Sequence, residues 1–218
     1  MKISFPNDLS EARKFQNTLA KRATIVDDFK EITKIGALDV AYKGKQGYVA
    51  GIIFDVKKEE VIEKQTLKDN VTSPYIPTFL FLREVPFFLK ILPKFNNIPD
   101  MFLIDGHGIA HPYFAGSATI FGVLTKKPAI GVAKKPLRYF SYSPTEDRNV
   151  QLIKVKEKEV GIQYKSKDRW NPIYISPGNK ISIQSSFEIV KRLMSSKNRI
   201  PIPLHLAHLT AAESKTLL

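Results

Sequence analysis

The chain has 218 residues, with 34 Lys or Arg against 21 Asp or Glu for a formal net charge of +13, no cysteine and only four histidines. It is long enough to bury a core without disulfides and reads as one domain over 1–218; without cysteine neither a disulfide framework nor a zinc–thiolate site can form, so a bound metal would have oxygen ligands. Basic residues spread along the whole chain suit a polyanion or simply serve solubility, while the opening lacks a signal peptide's apolar core and no run of about 18 apolar residues occurs, so a cytoplasmic protein without a membrane span is expected.

Leu9, Ala12, Phe15, Leu19 and Ala23 recur at spacings of three and four, which predicts an amphipathic helix over 9–24 with Asp8 or Ser10 as its cap. Three strand-like runs follow at 35–43, 47–57 and 60–67. The turn signals KGKQG and KKEE between them predict an antiparallel meander. Asp39 sits inside the first run among apolar neighbours, where an acid is costly unless it is paired, hydrogen-bonded or bound to a metal. Pro74 and Pro77 keep SPYIP out of any strand ladder and predict a stiff, extended loop holding Tyr75 and Ile76. From Phe79 the spacing predicts a helix interrupted near Pro86, with Arg83 and Glu84 on or beside its first turns.

Met101 to Ile104 run into Asp105, and Gly106 and Gly108 then break the pattern. This predicts a buried strand that stops at an acid, at the strand end where open α/β sheets bind ligands. The loop beyond it carries His107 and His111, and a helix over 113–124 begins near Pro112. Asp105 could equally cap that helix. A short strand over 128–133, ending at Lys134 and Lys135, completes a strand–helix–strand unit with parallel strands. Residues 139–148 read as loop, 150–164 as a half-exposed hairpin, and 173–176 as a strand closed by a turn at Pro177 and Gly178. An amphipathic helix over 182–195 and a last apolar helix with His205 and His208 end the chain.

Asp39, Glu84 and Asp105 share apolar or glycine surroundings. Acids that converge at sheet level on a basic, cysteine-free protein meet the needs of Mg²⁺, which takes hard oxygen ligands and can activate water against a phosphodiester. Three unrelated acids would look the same locally.

The chain resembles the endonuclease V family, the deoxyinosine-directed repair nucleases. The motifs that carry the resemblance stand in order: GALDVAY at 36–42, PYIP at 74–77, FLREVP at 81–86, LIDGHGIAHP at 103–112, GVAKK at 131–135 and NPIYISPG at 171–178. The resemblance implies an α/β fold with a ribonuclease H-like mixed β-sheet flanked by helices. It implies a Mg²⁺-dependent endonuclease, monomeric, that recognises deoxyinosine in DNA and hydrolyses the second phosphodiester bond on the 3′ side. The resemblance leaves inosine in RNA open as a second substrate. By the same resemblance Asp39 and Asp105 hold Mg²⁺ directly and Glu84 supports the metal partly through water. Lys134 holds phosphate or leaving-group charge, and His111 and His208 lie near the scissile phosphate. Tyr75, framed by Pro74, Ile76 and Pro77, wedges into the helix beside the flipped base. Gly106 and Gly108 let backbone groups approach a base that lacks the exocyclic amines of adenine and guanine, and Lys135 reads as a backbone contact.

The sequence departs from the family pattern at three places: Thr78 stands where a glycine follows PYIP, Ile120 where a histidine is usual, and Asn179 with Lys180 where His-Arg is usual. Two other classes stay open, a nucleic-acid-binding module without turnover and a junction or hybrid nuclease of the same fold. The three retained acids speak against the first, since acids that repel one another serve no purpose in a disabled enzyme.

Overall fold

The computed structural model describes residues 4–217. Helix α1 (Leu9–Arg22) starts at Asp8, whose carboxylate accepts a hydrogen bond from the Glu11 amide at 2.9 Å. The meander follows as β1 (Lys34–Lys43), β2 (Gln46–Asp55) and β3 (Glu60–Asn70), paired antiparallel as expected from the short turns. Then come α2 (Phe81–Ile91), β4 (Met101–Asp105), α3 (Ser117–Thr125) and β5 (Ala129–Ala133). β4 joins β1, and β5 joins β4, both parallel. These two strands are apolar almost throughout, as strands covered on both faces must be. The chain closes with β6 (Ser141–Pro144), β7 (Val150–Val155), β8 (Lys158–Tyr164), β9 (Ile173–Asn179), α4 (Ile183–Arg192) and α5 (Ile202–Leu217).

The described strands form one mixed sheet in the order β3-β2-β1-β4-β5-β9-β8-β7-β6, flanked by helices on both faces. Alternation along each strand divides the core. Ile35, Ala37, Met101 and Leu103 face the cluster containing Leu204 and Ala207 of α5, whereas Leu38, Phe102 and Ile104 face Phe88 and Phe121 of α2 and α3. Residues 39 and 105 continue the odd-numbered series. Parity therefore places both acids on the α5 face of the sheet.

Four local expectations fail for identifiable reasons. Helix α2 runs through Pro86 without a break. Burial of Val85, Phe87 and Phe88 on either side of it, with Phe88 edge-on to Phe121, outweighs one missing amide. Helix α3 starts at Ser117 rather than near Pro112, because the preceding loop spends its backbone groups on the sheet and on itself: the Ile109 amide donates to Pro177 O of β9 at 2.8 Å and the Gly116 amide to Gly108 O of the same loop at 2.9 Å. Gly116 is the N-cap, so Asp105 does not cap that helix. Pro177 and Gly178 lie inside β9, where the register against β5 slips by one residue, and so form a bulge rather than a turn. The loop expected at 139–148 contains strand β6, an exposed edge paired with β7. Among the described residues no helix is long and apolar enough to cross a membrane.

Candidate active site

The parallel register of β1 and β4 matches Leu38 with Ile104, so Asp39 and Asp105 occupy corresponding positions on adjacent strands and point to one face. Asp39 is the costly acid of the first strand. Its Oδ1 accepts from the Val40 amide at 2.7 Å, and its Oδ2 lies 2.7 Å from His208 Nδ1 of α5. Asp105 Oδ2 takes a very short ion pair from Lys134 Nζ, which stands just past the end of β5. Lys134 Nζ is also 3.4 Å from His208 Nδ1. Donor atoms of Asp39, Asp105 and His208 all lie within 4.8 Å of one another.

Glu84 approaches from the opposite face of the sheet, on α2. Ser117 Oγ donates to its Oε2 at 2.8 Å, and that oxygen would lie 3.7 Å from a Cβ placed on Gly106. Burial drives the Glu84 carboxyl well above the ordinary range; the Ser117 hydrogen bond opposes this, and the charges of Asp105 and Asp39 reinforce it. Burial, then Asp39, raises Asp105 to about 6 against the pull of Lys134 and His208. The hydrogen bond to Asp39 lifts His208 above its usual value. Mutually destabilised carboxylates beside a nitrogen donor fit a divalent cation, whose charge would relieve them. Of the predicted metal ligands, Asp39 and Asp105 come together with His208, and Glu84 stands behind them.

His111 is not part of this group. It is buried, its Nδ1 accepts from the Tyr113 amide at 3.2 Å, and burial lowers its pKa to about 3. His107 Nδ1 is out of solvent without a hydrogen-bond partner, its ring lies edge-on to Phe140, and burial lowers its pKa to about 4. Gly108 is required by packing, since a Cβ there would lie 2.1 Å from Pro177 O, and Gly106 has φ +153°. Lys135 is exposed at the rim.

Tyr75 is 67% exposed, between the exposed prolines 74 and 77, while Ile76 packs into the core under α2. Below this loop Tyr75, Thr78, His107, His111, Ser117 and Leu137 line a cavity of about 60 Å³. Thr78 has φ +69°, a left-handed conformation that costs a β-branched residue about 1–3 kcal/mol. Ile120 is fully buried in apolar surroundings. Asn179 accepts from the Thr24 amide at 3.1 Å and donates to Gly122 O at 3.1 Å and Lys127 O at 3.2 Å. Both departures therefore fill structural places. Sequence reasoning missed Gln16 and Ser117. The first left a signal, a polar residue four positions after Ala12 and three before Leu19, on the buried face of α1.

The Endonuclease V family profile matches residues 17–209, a span that contains all six motifs and the Asp39–Asp105–His208 group. The chain belongs to the endonuclease V family. It is 36% identical over 200 residues to the Endonuclease V of Thermosipho melanesiensis, covering 91% of this chain and 87% of that protein. The crystal structure of the Bacillus subtilis Endonuclease V superposes with a TM-score of 0.90 at 28% identity, covering 99% and 95% of the two chains. A second structure, Ciona intestinalis Endonuclease V in complex with a 24mer DNA containing an inosine followed by a ribo-adenosine, has a TM-score of 0.84 over 96% and 99% of the chains; at 24% identity it speaks to the fold alone. As a member of the endonuclease V family the chain is a nuclease, a hydrolase of phosphodiester bonds.

Proposed function

We propose that the chain is a Mg²⁺-dependent endonuclease that recognises deoxyinosine in DNA and hydrolyses the second phosphodiester bond on its 3′ side, with inosine in RNA as a second substrate. It would act as a single-domain monomer in the cytoplasm, in DNA repair. The observation that carries this reading is the grouping of Asp39, Asp105 and His208 within 4.8 Å, beside Lys134.

Asp39 and Asp105 would hold the ion, and Glu84 would support it through water. When bound, Mg²⁺ lowers the pKa of an attacking water and neutralises charge on phosphate oxygens. Lys134 Nζ, at the strand end between Asp105 and His208, is placed to meet negative charge on the phosphate and the departing oxygen. His208 is half-exposed at the mouth of the group and bonded to Asp39, so its imidazole can hold a proton beside the scissile bond. His111, neutral by burial, faces the loop side of the cavity. Tyr75 presents an aromatic face where an extruded base would leave a gap. Gly106 and Gly108 keep side chains away from the base, and Lys135 meets the backbone. The net charge of +13 provides phosphate affinity independent of sequence.

The test is a substrate panel. Deoxyinosine duplex, matched duplex, RNA–DNA hybrid and inosine RNA are incubated with and without Mg²⁺, and the cleavage position is mapped. Cutting of the inosine substrates alone, only with Mg²⁺ and at the second bond, is expected. Preferential cutting of the hybrid, or binding without cutting, would replace this reading with one of the two other classes.

A further inference from the structure

Helix α1 contributes nothing to the acid group, yet it grips the loop that carries Tyr75. The guanidinium carbon of Arg13 lies 3.4 Å from the ring centroid of Tyr113 and 4.0 Å from that of Phe79. Held by both rings, its Nη2 donates to Thr78 Oγ1 at 2.8 Å and its Nη1 to Gln16 Oε1 at 2.5 Å. Gln16 is fully buried. Its Nε2 donates both to Thr78 O at 3.1 Å and to Ala115 O at 2.6 Å. One residue of the exposed loop is thus tied through its hydroxyl and its carbonyl, and the same amide joins it to the loop that follows β4.

Thr78 is also the strained residue of that loop, with φ +69°. A threonine released from these bonds would leave the left-handed region. Pro77, Ile76 and Tyr75 precede it directly, and the prolines pass a change at Thr78 along as a rigid movement. Arg13 is suited to this role and lysine is not, since only a planar fork can stack between two rings while donating to two acceptors.

We propose that Arg13 and Gln16 form a latch that holds Thr78 in its left-handed conformation and so presets Tyr75 for insertion into a nucleic-acid duplex, Arg13 acting as a positioning residue. The proposal rests on the reading of Tyr75 as the wedge. It sets Arg13 apart from a phosphate contact, which would serve single and double strands alike, and from a plain stability residue, which would not depend on residue 78.

The experiment measures kcat and KM of wild type, Arg13→Gln, Thr78→Gly and the double variant on duplex and single-stranded inosine DNA, with thermal melting of each protein. Arg13→Gln should raise KM on the duplex about tenfold, equivalent to about 1.4 kcal/mol, with kcat and single-strand cutting within about twofold. Glycine adopts the left-handed conformation unaided, so adding Arg13→Gln to Thr78→Gly should cost less than about twofold more. Arg13→Lys, which keeps the charge and loses the fork, should behave as Arg13→Gln does and serves in its place if that variant melts too low to assay. Equal losses in the two backgrounds, or equal losses on single and double strands, would overturn the latch. Equal losses of Tyr75→Ala on paired and single-stranded inosine DNA would overturn the wedge reading itself, and the latch with it, whatever the Arg13 variants do.

Discussion

His208 Nδ1 lies 2.7 Å from Asp39 Oδ2, joining the last helix to the first strand across 169 positions of sequence. The contact closes the acid group from above: α5 brings an imidazole to a buried carboxylate of β1, and that hydrogen bond lifts the His208 pKa above its usual value. With Asp105 beside it, Asp39 and His208 bring three potential ligand atoms within 4.8 Å of one another, a spacing that could hold a divalent cation.

Asp39→Ala and Asp105→Ala should each reduce cleavage of inosine duplex to background while leaving binding within a few-fold, because phosphate contacts supply most of the affinity. Gel-shift and single-turnover cleavage on one substrate separate the two quantities. Ca²⁺ should support binding without turnover, as its looser coordination does not enforce octahedral alignment of the water. Near wild-type cutting by either variant, or full activity in Ca²⁺, would remove these residues from the metal site.

Lys134→Ala should lower kcat by more than it raises KM, if the ammonium meets charge that develops only in the transition state. Its contacts support this, since Lys134 Nζ is engaged by Asp105 and His208 inside the group, whereas the neighbouring Lys135 side chain is exposed. Lys135→Ala should behave oppositely, weakening binding with kcat unchanged and reducing the salt dependence by about one phosphate contact. If the two variants gave the same profile, Lys134 would be a backbone contact like its neighbour.

The sheet's two halves differ in how much their sequence reveals. The meander was legible because KGKQG and KKEE end alternating runs, and β4 and β5 because short apolar stretches stop at an acid and at lysines. Asp39 stood out as an acid among buried residues. Strand β6 was hidden because an exposed SYSP carries no apolar pattern and exists only through pairing with β7. The Pro-Gly of β9 imitates a turn; the strand against which it forms a bulge, β5, lies far away in sequence. His208 entered the site through family resemblance, since its helix gives no local hint of which histidine faces β1. The part played by Thr78 needed its φ and its contacts with Arg13 and Gln16, which a departure from a motif cannot supply.

Two titrations with opposite signs should appear in stability. Unfolded His107 binds a proton below about 6.5, while the folded ring stays neutral down to about 4, so acidification across that window favours the unfolded chain by up to about 1.36 kcal/mol per pH unit. His107→Gln should therefore lose less stability than wild type between pH 6.5 and about 4. Asp105 runs the other way. Its folded carboxyl keeps a proton up to about 6 where the unfolded one loses it near 3.8, so rising pH across that window costs the metal-free protein stability. Asp105→Asn should gain on wild type over the same window, and a saturating divalent cation should erase the gain. Urea midpoints at several pH values, with and without cation, read both; slopes equal to those of wild type in the two variants would refute the assignments.

Tyr75 should fill the gap left when inosine leaves the stack, because its ring is exposed on a loop fixed by Pro74, Pro77 and the ties on Thr78. Stacking of a base on an aromatic ring contributes about 1–3 kcal/mol, so Tyr75→Ala should weaken retention of inosine duplex by about one to two orders of magnitude. Single-stranded inosine should suffer less, since no duplex has to be held open. Tyr75→Phe should stay near wild type, as the ring face and not the hydroxyl replaces the lost base. The deciding comparison is binding and cleavage by Tyr75→Ala on paired and single-stranded inosine substrates. Equal losses on the two would mean that the ring touches the base or the backbone directly and holds nothing apart.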